Sequence, residues 1–169
     1  MPEEDATVVA RLKQAGAISL GKTNTHEFAY GPTNEVSMFG PVNNPWNLER
    51  VSGGSSGGSG AAVAAGLVLI ASGSDTGGSI RIPSACCGLT GLKPTYGRVS
   101  RAGILPLCWT MDHAGLLAHS AQDAVLFLEV VAGHDPRDDA SSGRSVPNYV
   151  VMLTSDVSGV RIGVPRGYF

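Results

Sequence analysis

Charge is scarce in this sequence. Aspartate, glutamate, lysine and arginine make up 15% of its 169 residues while 43% are hydrophobic, against about 25% charged in an ordinary soluble domain. A chain of that balance buries a core rather than staying disordered. Positive charge shows no surplus either: 12 basic against 14 acidic side chains leave a net charge of −2, which argues against this chain gripping nucleic acid through phosphate contacts. Long hydrophobic runs are missing. The longest, residues 61–71, is interrupted by glycine and is about half the length that a membrane span needs. The first six residues are acidic and polar, without the apolar stretch of a secretory leader. The expectation is therefore a cytoplasmic protein with no membrane partner. Cysteine is sparse, with Cys86, Cys87 and Cys108 forming no Cys-x-x-Cys pair; this excludes a secreted disulfide framework and a zinc knuckle and leaves three small buried hydrophobes. No period of twenty to fifty residues repeats, so solenoids and propellers are excluded. The length suits about one domain.

Glycine is what the sequence has in excess, with 23 residues clustered rather than periodic, which points to tight turns rather than to collagen or a linker. Asp5 is expected to cap a helix running to about Ala15, because Val8, Val9, Leu12 and Ala15 share one face and Gly16 follows. A strand over residues 17–20 comes next. Residues 21–50, rich in Asn, Pro, Gly and Thr, read as a long ordered loop of the kind that carries function. Nine residues that are only serine or glycine, 52–60, lead into a small-residue helix over 61–65 and a strand over 67–71. A second glycine turn at 74–79 precedes a helix over 79–87 that contains Pro83. Residues 89–101 read as extended and turn structure, 121–132 as an amphipathic helix capped by Ser120, and 160–164 as a strand. Alternating helix and strand gives an α/β fold.

Two motif matches fail on context. Residues 16–23 spell the P-loop pattern Gly-x-x-x-x-Gly-Lys-Thr, yet a helix precedes the first glycine and the supposed loop is apolar, so nucleotide binding is only a distant alternative. His26-Glu27 begins a zincin-like motif whose second histidine position is Tyr30, so two imidazoles cannot share one metal and none is expected. His113, His119 and His134 have no ligating spacing. Ser55 and Ser79 each lie in a glycine turn beside an expected helix start, where unpaired amides can hold an oxyanion. A serine needs a base. No His and Asp pair is suitably spaced, leaving Lys22 in Gly21-Lys22-Thr23-Asn24. A lysine serves as a base only when deprotonated, which burial in weakly charged surroundings favours.

Gly54-Ser55-Ser56-Gly57-Gly58-Ser59 followed by Asp75-Thr76-Gly77-Gly78-Ser79-Ile80-Arg81 resembles the signature of the amidase signature family. Lys22 upstream, the 24-residue separation of Ser55 and Ser79, the Gly91 to Gly103 stretch and His134-Asp135-Pro136-Arg137-Asp138 extend the likeness from Asp5 onward. The resemblance implies an α/β amidase signature fold, a mixed β-sheet core covered by helices on both sides. It implies Ser79 as the nucleophile, Ser55 as a bridging serine preceded by a cis peptide bond, and Lys22 as the base. In that relay Lys22 draws a proton from Ser55 as Ser55 draws one from Ser79, Ser79 attacks an amide carbonyl, and water cleaves the acyl-enzyme. The amides of Thr76, Gly77, Gly78 and Ser79 would form the oxyanion hole. Asp75, Arg81, Ser56 and Ser59 are expected to hold loop shape rather than to act in catalysis.

The implied activity is hydrolysis of a small-molecule amide to acid and ammonia or amine, without cofactor or metal. The alternative within the family is the glutaminase component of glutamyl-tRNA amidotransferase, its A chain, which releases ammonia from glutamine and works with partner subunits and, through them, tRNA. His26, where that component more often has an acidic residue, favours the hydrolase. The resemblance is also compatible with a homodimer. The family usually has proline and arginine near Leu117 and His119, and Cys86-Cys87 replaces more usual small or aliphatic neighbours. Family members run to several hundred residues, so residues 1–169 are expected to form a single incomplete domain that is unstable or inactive alone.

Overall fold

In the computed structural model, which describes residues 3–154, 156–164 and 166–167, the fold is organised around one strand. β5 (His113–Ala118) lies between β3 (Ile70–Asp75) and β4 (Thr90–Leu92), antiparallel to both. Side chains alternate across a strand, and both faces of β5 are covered. Ala114, Leu116 and Ala118 join a core with Val99 and with Ala124, Phe127, Leu128 and Val131 of α4 (Ala121–Val131) and Val8 of α1 (Thr7–Gln14). On the other face Leu117, wholly buried, lies against α2 (Gly57–Ala64) and the Gly73 position of β3, while Ile80 and Ser84 close over Gly91 and Gly115 near α3 (Arg81–Cys87). Helices therefore flank the sheet on both sides, as the α/β reading requires. A strand buried on both faces carries a continuous apolar run instead of an alternating one. That is why Ala114-Gly115-Leu116-Leu117-Ala118 gave no strand signal in the sequence.

Several boundaries move. α1 begins after Ala6, whose side chain has no oxygen to cap it, while Asp5 lies one residue further out and is paired with Lys13 at 2.6 Å. Gly16, at φ +85°, does end it. α2 starts four residues earlier than expected and takes Gly57 to Gly60 into the helix, and β3 runs from Ile70 to Asp75 rather than over 67–71. Ser120 caps α4 as expected, accepting the Asp123 amide at 3.1 Å. Residues 17–20 and 160–164 form no strand. Ile18, Leu20, Val160, Ile162 and Val164 are exposed, since a strand exists only where a neighbour completes its hydrogen-bond ladder and no described strand reaches them. The long loop contains a 3₁₀ turn, Glu27–Ala29, and a hairpin of β1 (Asn43–Asn44) and β2 (Asn47–Val51). A short α5 (Tyr149–Met152) packs near α4. No helix among the described residues is long and apolar enough to cross a membrane. Cys87 is buried, but Cys86 is exposed and Cys108 half-buried, so only one of the three behaves as a core hydrophobe; burial first, and Cys86 second, push the Cys87 thiol up to about 11.

The His134-Asp135-Pro136-Arg137-Asp138 motif is a structural clamp. Asp135 accepts the hydroxyls of Thr7 and Ser100, the latter at 2.6 Å, and the Arg137 amide at 2.9 Å. Asp138 forms a buried ion pair with Arg101 at 2.8 Å. Burial works to raise the Asp135 carboxyl, but the Ser100 and Thr7 hydroxyls and the Arg137 amide and charge outweigh it and hold it far below the usual carboxylate range. Arg101 does the same for Asp138 against a smaller effect of burial. Folded-state values depressed in this way give stability that is complete above the unfolded carboxylate value of about 4 and is lost as pH falls through the folded values. Melting followed by circular dichroism should show Tm dropping steeply below about pH 4. Asp135→Asn should lower Tm at neutral pH and flatten that acid limb.

Candidate active site

Three chain segments meet at the edge of the sheet where β3 ends. The Ser/Gly stretch enters α2 through a cis Gly54–Ser55 peptide bond, as the family resemblance implies. Ser55 is buried, Ser79 half-buried and Lys22 exposed. Backbone hydrogen bonds join their segments: the Ser56 amide donates to the Ser79 carbonyl at 3.2 Å, the His26 amide to the Ser55 carbonyl at 3.0 Å, and the Gly58 amide to the Asn24 carbonyl at 3.0 Å. The side-chain ends of Lys22, Ser55 and Ser79 make no hydrogen bond to one another among the described residues. Catalytic hydrogen bonds are often long without substrate and tighten when it binds. The exposure of Lys22 corrects the expectation of burial. Its segment rests on α2 through Thr23 Oγ1, 2.9 Å from Ser59 Oγ, while its outer side faces solvent.

Gly58 sets how closely that segment approaches. A Cβ there would lie 2.7 Å from the Asn24 nitrogen and closer still to the Asn24 oxygen, both backbone atoms that cannot swing away. Gly58→Ala should therefore push the Lys22 segment off α2 and, on the relay that the family resemblance implies, cut turnover by about 100-fold, the usual result of misplacing a reacting group by about 1 Å. Steady-state kinetics checks this, with unchanged far-UV circular dichroism as the control for folding.

The turn from Thr76 to Ser79 presents four amides that donate to no acceptor among the described residues. It is held from the α3 side by Asp75, which is wholly buried and accepts the Ile80 amide at 3.1 Å, the Arg81 amide at 3.3 Å and the Arg81 guanidinium at 2.9 and 3.1 Å. Burial alone would raise the Asp75 carboxyl, but the Arg81 side chain and these two amides hold it below its ordinary value. Arg81 is raised in return. Asp75 and Arg81 thus shape the turn, as expected. Ser56, whose Oγ accepts the Ser74 amide at 3.2 Å, and Ser59, whose Oγ donates to the Ser72 carbonyl at 2.8 Å, tie the start of α2 to β3.

Two organisers of the site were not singled out as such from the sequence. Asn34, wholly buried at φ +63°, caps α2 from a distant loop by accepting the Gly57 amide at 3.0 Å. Asparagine's tolerance of the left-handed region was the available signal. His26 is buried and its Nδ1 accepts the Asn34 amide at 3.2 Å, so it shapes the loop. No metal-holding group of His, Cys, Asp or Glu occurs among the described residues. Residues 17–25 form neither helix nor strand, so Lys22 does not sit at the strand–loop–helix junction of a nucleotide-binding loop.

The family model described as Amidase matches residues 1–169. The A chain of glutamyl-tRNA(Gln) amidotransferase from Coxiella burnetii is 58% identical over 165 residues, 98% of this chain and 34% of that protein. Among solved structures, the same amidotransferase component from Thermotoga maritima superposes with a TM-score of 0.83 at 50% identity, covering 85% of this chain and 32% of that one. A peptide amidase from Stenotrophomonas maltophilia does so with a TM-score of 0.84 at 43% identity, over 88% and 32%. The chain spans about a third of the length of the curated relatives it matches.

Proposed function

The chain belongs to the amidase family, and on that premise we propose that it is the catalytic third of a cytoplasmic amide hydrolase, part of a single larger domain, in which Ser79 is the nucleophile, Ser55 the proton bridge and Lys22 the base. The observation that carries this reading is the meeting of two serine turns and a lysine segment beside four amides that have no acceptor among the described residues. Ser79 Oγ adds to an amide carbonyl, its proton passing through Ser55 towards Lys22. The oxygen that becomes negative is received by the amides of Thr76 to Ser79, where each donor lost typically costs about 2.7–4 kcal/mol of transition-state stabilisation. The proton returns to the departing nitrogen, and water then cleaves the ester on Ser79. No cofactor or metal enters these steps. The exposed Lys22 accounts for placing the activity in the whole protein, whose remaining part would cover it.

A second reading has a specific observation behind it: the curated relatives at 54–58% identity are A chains of glutamyl-tRNA(Gln) amidotransferase. In that case the amide is glutamine, and the partners are the other amidotransferase subunits and, through them, tRNA. Ammonia release from glutamine and from simple amides by the whole protein, with and without such partners, separates the two. Turnover of simple amides without partners supports the hydrolase; glutamine turnover that depends on them supports the amidotransferase.

A further inference from the structure

The oxyanion turn has a second anchor, on the face opposite Asp75. β3 and β5 pair with Asp75 across from His113, and the same register continued by one residue sets Thr76 across from Asp112. Alternation along the strand sends the Thr76 side chain away from Arg81. Its Oγ1 donates to Asp112 Oδ1 at 2.5 Å, while Asp112 Oδ2 accepts the amides of Leu107 and Cys108, each at 2.9 Å. Asp112 is buried, and hydrogen bonds to a carboxylate are stronger than those between neutral groups. Those two amides belong to a loop over residues 105–111 that is itself fastened. The Met111 and Asp112 amides turn back to the Cys108 carbonyl at 3.0 and 2.9 Å, and Tyr96 Oη donates to the Trp109 carbonyl at 2.6 Å, as does the Asp138-bound Arg101. Leu105 and Leu107, with Ala29 and Ile104, line a depression beside Thr76.

We infer that Asp112 is a positioning residue that locks the oxyanion turn to the loop over residues 105–111 through the Thr76 hydroxyl. The inference rests on the proposed hydrolase reading and deepens it. The four turn amides have no acceptor among the described residues, so their direction is set by what holds the turn at each end: Asp75 at the α3 end and Asp112 at the β3 end. A turn released at Thr76 still binds substrate but no longer aims its donors at the developing negative charge, and interactions made only in the transition state appear in kcat rather than KM.

The test is steady-state amide hydrolysis by the whole protein carrying Thr76→Val, Thr76→Ser, Asp112→Ala or the Thr76→Val/Asp112→Ala pair, beside Ser79→Ala. Thr76→Val keeps the backbone amide and the side-chain shape and removes only the hydroxyl. It should lower kcat by about 10- to 100-fold with KM within about threefold. Thr76→Ser, which restores the donor, should recover most of that loss. The double variant should be no slower than Asp112→Ala alone, because both act through one contact. Unchanged kcat in Thr76→Val, or fully additive losses in the pair, overturns the inference while turnover still depends on Ser79. If Ser79→Ala retains full turnover, the hydrolase reading itself fails and this role for Asp112 fails with it.

Discussion

On the proposed assignment, Ser79→Ala should reduce amide turnover by the whole protein to background, a fall of about 10⁶ in kcat if loss of the nucleophile has its usual weight in a serine hydrolase. The side chain removed is small and half-buried at the end of a turn whose shape is fixed by other groups. Little packing is lost, so the fold should survive and the effect should be chemical. Two readouts go together. Steady-state release of ammonia or amine should vanish, and the mass increase of an acyl group on the protein during turnover should vanish with it. In the proposed relay, Lys22→Ala and Ser55→Ala should each cost nearly as much as replacing Lys22, Ser55 and Ser79 together, because residues that pass one proton act as a unit and their losses do not add. Persistence of an acyl adduct after Ser79→Ala would place the nucleophile elsewhere.

Asp75→Ala is expected to be among the most damaging single replacements for stability. The carboxylate is wholly buried and satisfies two helix-start amides and the Arg81 guanidinium. The Arg81 side chain is 54% exposed and can turn to water, so the cost falls mainly on the Ile80 and Arg81 amides left without an acceptor, about 2–4 kcal/mol in all. Arg81→Ala should cost clearly less, since Asp75 keeps both amides. Urea unfolding of the two variants measures the difference, and the opposite order would show that the ion pair rather than the backbone capping holds the turn. Asp75→Ala should also lower kcat, because the turn from Thr76 to Ser79 loses its anchor at the α3 end.

Parts of the fold could be read directly. α4 was legible because its apolar stripe recurs at helical spacing behind a serine cap. The C-terminus of α1 was legible because only glycine readily takes the φ of +85° found at Gly16. β5 was hidden by burial on both faces, and α2 by composition: Gly57 to Gly60 have poor helix propensity, yet glycine is what lets α2 approach Asn34 at Gly57 and the Lys22 segment at Gly58 at distances that side chains would prevent. Residues 17–20 and 160–164 misled for the opposite reason, since their apolar composition promises strands but pairing needs a neighbour that local sequence does not reveal.

By itself the sequence determined the chemistry available: a lysine, two serines 24 residues apart and two glycine-rich turns, recognisable as one family's signature because chemistry constrains residue types and their order. Only the tertiary structure decided how those groups are held. Asn34 capping α2, Asp112 meeting Thr76, and the solvent exposure of Lys22 depend on contacts between residues far apart in the chain. Such contacts are set by strand register and packing rather than by any local pattern.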